Sequence, residues 1–198
     1  MSYASLDDLK ESLRITDDSD DALLQVALDA ATELITEHCN RTFTASEMAT
    51  QRWFIPRNGV VIVDDIYSEV GLLVDVAGIL IPEAVENVSA GYVLKPDNAP
   101  ALGEPYTSIE YSFPTAAAWP LTFAISRHRV AITAKWGYAA EVPESVRQAC
   151  ILQASRIFSR RHAPFGVAGS PEIGSEIRLL SKVDPDVAVL LSGKVRYR

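Results

Sequence analysis

The sequence has few of the residues that mark secreted, membrane-spanning or metal-binding proteins. It contains two cysteines and three histidines, too few for a disulfide framework or a structural zinc site. Its most apolar stretch, residues 70–82, is interrupted by Asp75 and is shorter than the ~18 residues that cross a membrane. No basic residue precedes an apolar run near the start, as a secretory signal would require. We therefore predict a protein made in the cytoplasm, with no membrane span and with Cys39 and Cys150 as free core residues.

No motif of a common catalytic class is present. The sequence lacks the Gly-x-Ser-x-Gly elbow, the Ser-x-x-Lys pair and the His-Glu-x-x-His zinc motif. Gly169 and Gly174 are spaced as in a phosphate-binding loop, but the lysine that would reach the phosphates is absent. We therefore expect no enzymatic activity, no cofactor and no metal.

Charge is unevenly distributed along a chain whose net charge is −8. Residues 1–50 hold 11 acidic and 3 basic side chains, residues 51–142 hold 10 and 6, and residues 143–198 hold 5 and 9. An acidic chain disfavours tight, sequence-specific binding of nucleic acid and repels phosphates. The basic end is compatible with a nucleic-acid arm, with a patch that meets an acidic surface of another subunit, and with a solvated face.

Helical periodicity predicts two helices at the start of the chain. Ser5 and Asp8 have the spacing of a capping box, and the leucines that follow predict a first helix ending near Arg14. The acidic run 16–21 precedes an apolar stripe that predicts a longer helix ending at Cys39. We interpret the acidic run as helix-capping side chains, which also suit the positive end of the helix dipole.

Between about residues 49 and 140 the apolar period changes to two. Alternation at 108–113 and 129–138 predicts half-buried strands. Asn58-Gly59 predicts a hairpin joining 51–55 to 60–63, with Pro56 indicating an edge strand or an early end of pairing. The Pro- and Gly-punctuated segment 95–105 predicts a surface loop.

Helical period returns at Pro143 and predicts a third helix reaching Arg160. A glycine-spaced segment, 164–174, indicates a mobile loop, and residues 176–181 follow as a candidate extended segment. Asp184-Pro185 predicts a short last helix before a basic tail.

The predicted fold class is α+β. Two N-terminal helices plus the C-terminal helices form a helical core, with a β-rich insertion between them. The expected divisions are residues 1–48 for the N-terminal part of the core, 49–140 for the insertion, and 141–198 for the C-terminal part with its glycine loop and basic tail.

Several segments resemble the head-to-tail connector (adaptor) proteins of tailed bacteriophages. In the opening part they are YASLDDLK (3–10), RITDDSDDALL (14–24) and CNRTF (39–43). In the closing part they are WGY (136–138), VPESVRQA (142–149), RR (160–161), GVAG (166–169) and VDPDV (183–187), which resemble segments of actinobacteriophage connectors. The resemblance spans residues 3–43 and 136–191, and the insertion is similar only loosely.

The resemblance implies a structural protein of the virion neck, made in the host bacterial cytoplasm. Such a connector forms a ring of about twelve copies under the portal protein, built from heterologous head-to-tail contacts. It bridges the portal to a stopper or tail-completion protein and lets DNA pass without sequence-specific binding. Connectors of this kind are also known as monomers when isolated.

The resemblance also implies partner or subunit contacts in the basic C-terminal part. The residues assigned to them are Arg160, Arg161, Phe165, Arg178, Lys194, Arg196, Tyr197 and Arg198. An alternative function is a β module that binds a small ligand or carbohydrate, which the tryptophans Trp53 and Trp119 suggest. Aromatic residues in strands, however, more often belong to the core.

Overall fold

The computed structural model describes residues 2–76, 78–84, 91–112, 129–160, 167–168, 177–178 and 183–197, with backbone only at 167–168 and 177–178. The chain divides into two compact units. The helical unit comprises Met1–Phe43 with Val142–Arg198, and the β unit comprises Thr44–Glu141.

In chain order the elements are α1 (Leu6–Leu13), α2 (Asp21–Cys39), β1 (Thr50–Phe54), β2 (Val60–Val76), β3 (Ile79–Ile81), β4 (Gly91–Lys95), α3 (Ala99–Leu102), β5 (Tyr106–Ser112), β6 (Val130–Trp136), α4 (Glu144–Ser159), β7 (Val167–Ala168), β8 (Ile177–Arg178) and α5 (Pro185–Leu191), followed by a 3-10 turn at Ser192–Lys194. Helices and an antiparallel sheet thus occur together, and the predicted α+β class is confirmed.

The first helix has the cap that its sequence predicts. The Asp8 backbone N–H donates to the Ser5 hydroxyl, and the Ser5 backbone N–H donates to the Asp8 carboxylate, both over 3.1 Å. At the other end Arg14 adopts the left-handed conformation that ends a helix (φ 56°). The predicted capping box and the end near Arg14 are confirmed.

The acidic run before α2 does not provide the side-chain cap that the sequence predicts. Asp20 is the N-cap residue, but its backbone is not extended (φ −102°, ψ 3°) and its side chain makes no cap hydrogen bond. An N-cap side chain reaches the free N–H groups from an extended backbone, which explains the difference. Asp17 instead accepts from Ser19, and Asp18 and Asp21 bind Lys10. The predicted side-chain cap at the start of α2 is therefore wrong.

The core of the helical unit is the packing of α2 against α4, with α1 and α5 at its sides. The apolar stripe of α2 supplies five completely buried side chains, Leu24, Leu28, Ala31, Ile35 and Cys39. From α4 come Val146, Ala149, Cys150 and Ala154, and from α5 Val187 and Leu191. Both cysteines are free and buried, as predicted.

The β unit is a six-stranded antiparallel sheet in the order β1-β6-β2-β5-β4, with β3 paired to β2. The 17-residue β2 is the longest strand of the sheet. Its first part pairs with β5 and its second part with β3. β6 pairs with β1 and with β2. One face of the sheet forms a core that includes Val61, Ile109, Ile132 and Trp136. The alternation predicted for β5 and β6 is confirmed, although Phe113 lies outside the described residues.

The hairpin prediction is right about the turn and wrong about the strands. Asn58 and Gly59 have φ values of 52° and 79°, and Arg57 and Val60 exchange two backbone hydrogen bonds of 2.8 and 3.0 Å. Beyond this bridge the strands separate, because Pro56 has no N–H to continue a ladder. β1 pairs with β6 instead, at one edge of the sheet.

Two segments expected to be irregular or extended have short regular elements. The predicted surface loop 95–105 contains a single helical turn, α3, which buries Ala99 and ends at Gly103 in the left-handed conformation. This one-turn helix corrects the prediction of a loop. Near the C-terminus, β7 and β8 pair as antiparallel two-residue strands, and β8 lies within the segment expected to be extended.

Gly137 is predicted to be essential for the β unit. Its φ is +136°, and an added Cβ would lie 2.4 Å from the Thr44 carbonyl oxygen and 2.5 Å from Ala45 Cα. Gly137→Ala should lower the free energy of unfolding by roughly 3 kcal/mol or more, from backbone strain plus overpacking. Gly103→Ala is the control, because φ is +64° there and an added Cβ meets no described atom within 4 Å. Denaturant unfolding that showed equal losses would contradict this account.

Candidate assembly surfaces

The N-terminal segments fold into an acidic corner on the helical unit, formed by Asp17, Asp18, Asp20 and Asp21. The Lys10 Nζ lies 2.7 Å from the Asp18 carboxylate and 2.8 Å from that of Asp21. These hydrogen bonds raise the pKa of Lys10 above its usual value. Hydrogen bonds from Ser19 lower the pKa of Asp17. Lys10 thus pairs with two of the four carboxylates, Asp18 and Asp21.

Two arginines of the basic C-terminal segment are engaged within the chain. Arg147 pairs with Glu144 at 2.8 Å and lies 3.8 Å from Asp8, and its hydrogen bond lowers the pKa of Glu144. Arg156 pairs with Asp184 and lies 3.4 Å from Asp186. Ion pairs within the chain therefore account for these two residues.

The structure locates only part of the residues assigned to partner contacts. Arg160 follows the end of α4 and is half-buried. In the tail, Lys194 and Arg196 are half-buried, whereas Tyr197 is 89% exposed. The Arg178 backbone lies in β8. Arg161, Phe165 and Arg198 lie outside the described residues.

The basic tail is attached to the end of α2. The Arg196 N–H donates to the Cys39 carbonyl over 2.9 Å, and the Asn40 side-chain amide donates to the Arg196 carbonyl over 3.3 Å. Because Asn40 ends α2 in the left-handed conformation (φ 50°), the helix leaves carbonyl groups for such a partner. These contacts bring Lys194, Arg196 and Tyr197 to one end of the helical unit.

The side of the sheet opposite the β-unit core carries exposed apolar residues. Across four adjacent strands the register places Trp53, Ala131, Asp75 and Leu80 in one row. Leu73 lies in the next row, opposite Thr133. We call this the outer sheet face; its exposed fractions are 59% for Trp53, 51% for Leu73 and 62% for Leu80.

Basic side chains accompany these apolar residues. Side chains alternate along a strand, so Arg129, just before β6, and Lys135 fall on the same face as Ala131 and Thr133. Sequence reasoning identified Trp53 but missed Leu73 and Leu80. Only the pairing of β1, β6, β2 and β3 brings them together, and β1 and β6 are far from each other in the chain.

A second apolar surface runs along α2. Leu23, Val26, Ala30, Glu33 and Glu37 alternate in steps of three and four, and so share the side of the helix opposite its buried stripe. Leu23 is 53% exposed and Val26 is 65% exposed, and Glu33 and Glu37 are exposed. This outer ridge of α2 is thus apolar in its first half and acidic in its second half. The three- and four-residue spacing of this ridge can be read from the sequence. The prediction of α2, however, rests on the buried stripe alone.

The described residues offer little to catalysis. Burial raises the pKa of the Cys39 thiol to about 11 and also raises that of Cys150, so neither is an activated nucleophile. No group of three or more His, Cys, Asp or Glu in the described ranges is placed to hold a metal ion. Among the helices found there, none combines the length and apolar character that a membrane span needs.

Comparison with known proteins connects the opening of the chain to one family. The model of the phage gp6-like head-tail connector protein family matches residues 3–70, which include the acidic corner and the outer ridge of α2. This match confirms the resemblance to phage head-tail connectors. It supports a structural role, and it covers the opening segments on which the resemblance rests. No curated protein matches the sequence.

Solved structures give matches that cover almost the whole chain. A chain from the neck of an empty gene transfer agent (GTA) particle, computed with C6 symmetry, has a TM-score of 0.56 at 21% identity, over 99% of this chain and 91% of that chain. A chain from the virion of a native gene transfer agent particle has a TM-score of 0.45 at 23% identity, with the same coverage. The first similarity shows a shared fold across both units.

The Tyr3 hydroxyl is predicted to stabilise the end of α2 on which the tail lies. It lies 2.6 Å from the Thr36 hydroxyl and accepts from the Phe43 N–H over 3.2 Å. Tyr3→Phe leaves that buried N–H without this partner, so the free energy of unfolding should fall by about 1–3 kcal/mol. Tyr197→Phe, at an exposed tyrosine of the same unit, should change it by less than about 0.5 kcal/mol. Thermal or denaturant unfolding checks both, and a Tyr3→Phe protein as stable as the control would refute the role.

Proposed function

We propose that this protein is a head-tail connector of a phage virion. In this proposal about twelve copies form a ring under the portal protein and bridge it to a stopper or tail-completion protein. The observation that carries the proposal is the family match over residues 3–70. The gene transfer agent neck chain, which shares the fold over 99% of this sequence, is consistent with it.

The distribution of charge supports head-to-tail assembly. A ring closed by rotation needs two different, complementary surfaces on each copy. The acidic corner and the basic C-terminal segment are such a pair, and we propose that they meet across subunit or portal interfaces. We assign the contact to the basic residues that the resemblance implies; Arg147 and Arg156, which pair within the chain, are not among them. The proposed set is Arg160, Arg161, Arg178, Lys194, Arg196 and Arg198, with Phe165 and Tyr197 beside them.

The net charge also suits a channel for DNA. A chain with a net charge of −8 repels phosphate groups, which limits non-specific binding as DNA passes. The proposed ring therefore guides DNA without reading its sequence, and no catalytic step is assigned to it. It acts in the virion neck after synthesis in the host cytoplasm.

A second candidate function is supported by the exposed indole of Trp53. Exposed aromatic rings are common platforms for sugars and other small ligands, so a ligand-binding β module is the alternative. Trp119, the other tryptophan that suggested it, lies outside the described residues. A ligand-binding module would bind its ligand without forming a large assembly, and it would not need a portal protein.

The proposed charge contact predicts how assembly responds to salt. The complex with the portal protein of the same phage should weaken as salt rises, because screening reduces attraction between exposed charges. Combined Arg160→Gln, Arg161→Gln and Arg178→Gln should weaken the complex at least tenfold at low salt and flatten its salt dependence. Sedimentation of the mixture over a salt series measures both effects.

The control removes charge from the β unit. Arg57→Gln with Lys95→Gln should leave the affinity and its salt dependence unchanged. An unaltered salt response in the triple variant would disprove the charge contact. A wild-type chain that binds no portal protein at any salt concentration would count against the connector function itself.

A further inference from the structure

Two exposed apolar surfaces have no role in the charge contact above: the outer sheet face and the outer ridge of α2. We propose that the outer ridge of one copy packs on the outer sheet face of the next copy. This inference rests on the proposed function, because it assumes that copies assemble side by side. It names the apolar contact between them, in which Val26 and Leu23 of one copy meet Trp53, Leu73 and Leu80 of its neighbour.

The outer sheet face has the features of an interface. Its exposed apolar residues, Trp53, Leu73 and Leu80, lie on three of four adjacent strands, with the buried Ala131 and the half-buried Asp75 between Trp53 and Leu80. Exposed apolar side chains grouped on one face are characteristic of interaction sites. Trp53 is a residue type enriched at the energetic centres of interfaces, and more than half of its surface is exposed.

The outer ridge of α2 matches this face in size. Leu23 and Ala30 are seven residues apart, which is about 10 Å along a helix. The four strands that carry Trp53, Ala131, Asp75 and Leu80 extend over about 14 Å, given the usual strand spacing. Helix-on-sheet packing is also one of the few stable ways to cover an apolar sheet face.

Charge favours the same pairing. The ridge continues from its apolar half to Glu33 and Glu37, whereas the sheet face carries Arg129 and Lys135 on β6 beside its apolar residues. An acidic helix end laid against a basic strand places opposite charges together at the rim of the contact, which improves orientation and specificity. The sheet face also carries Asp75, which accepts from the Gly78 N–H. Glu33 and Glu37 would repel each other in a contact of ridge with ridge, so the pairing of ridge with face is favoured.

Such a contact is heterologous, as ring closure requires. Each copy uses the ridge towards one neighbour and the sheet face towards the other, so the same contact repeats around the ring. The apolar contact and the charge contact are independent, because they use different residues. Variants therefore separate them.

Cysteine cross-linking between two different variants tests the inference. One preparation carries Val26→Cys and the other Leu73→Cys, so any cross-link between them joins two copies. The native Cys39 and Cys150 are buried and should not react. The matched control replaces Leu73→Cys by Ile62→Cys, on the same strand, where Ile62 is 68% exposed. The two preparations are mixed, assembled on the portal protein, and treated with a short bifunctional maleimide.

We expect a cross-linked dimer from Val26→Cys with Leu73→Cys, in at least tenfold higher yield than from Val26→Cys with Ile62→Cys. As a second readout, Glu33→Lys with Glu37→Lys should weaken assembly, and Arg129→Glu with Lys135→Glu should restore it. Assemblies that form with no cross-link above the control would overturn the inference and leave the connector function standing. If no multi-subunit assembly forms at all, the connector function fails and this contact fails with it.

Discussion

The packing of α2 against α4 is the constraint on which the helical unit depends. The two helices are more than a hundred residues apart in the sequence, yet Thr32 and Cys150 contact each other through their side chains. Among the described elements, α2 packs most extensively against α4, which covers its buried stripe. The helical unit therefore cannot form until the closing segment of the chain has returned.

The two ends of the β unit lie next to each other, which allows the closing segment to return to α2. Its ends meet in a bridge between Thr44 and Ala139, and the Ala45 N–H donates to the Ala139 carbonyl over 3.0 Å. The chain enters and leaves the β unit at adjacent points, which is how one domain is inserted in another without disrupting it. Gly137 is part of this closure, because a side chain there would collide with the entering segment at Thr44 and Ala45.

Local features of the fold could be predicted from the sequence, and long-range pairing could not. The capping box at Ser5, the left-handed end at Asn40 and the stripes of α2 and α4 follow from short-range rules. The pairing of β1 with β6 joins residues about eighty positions apart, and no local pattern encodes it. The Asn58-Gly59 turn formed as predicted, yet Pro56 directed β1 away from β2.

The candidate surfaces, too, could be predicted from the sequence only where they depend on local features. The charge asymmetry between the ends of the chain is visible in the sequence, but the pairing of Arg147 and Arg156 inside the chain is not. The outer sheet face, in turn, depends on β3 lying beside β2, which brings Leu80 into the row of Trp53. A surface formed by several strands therefore becomes visible only once their register is known.

The central claim, that this chain is a ring-forming connector, is tested most directly by mass. Light scattering behind a sizing column gives the mass of the purified protein alone and after mixing with the portal protein of the same phage. The account predicts a portal complex that carries about a dozen copies of the chain, whether or not the isolated protein is a monomer. A chain that remains monomeric beside the portal protein at high concentration would contradict it.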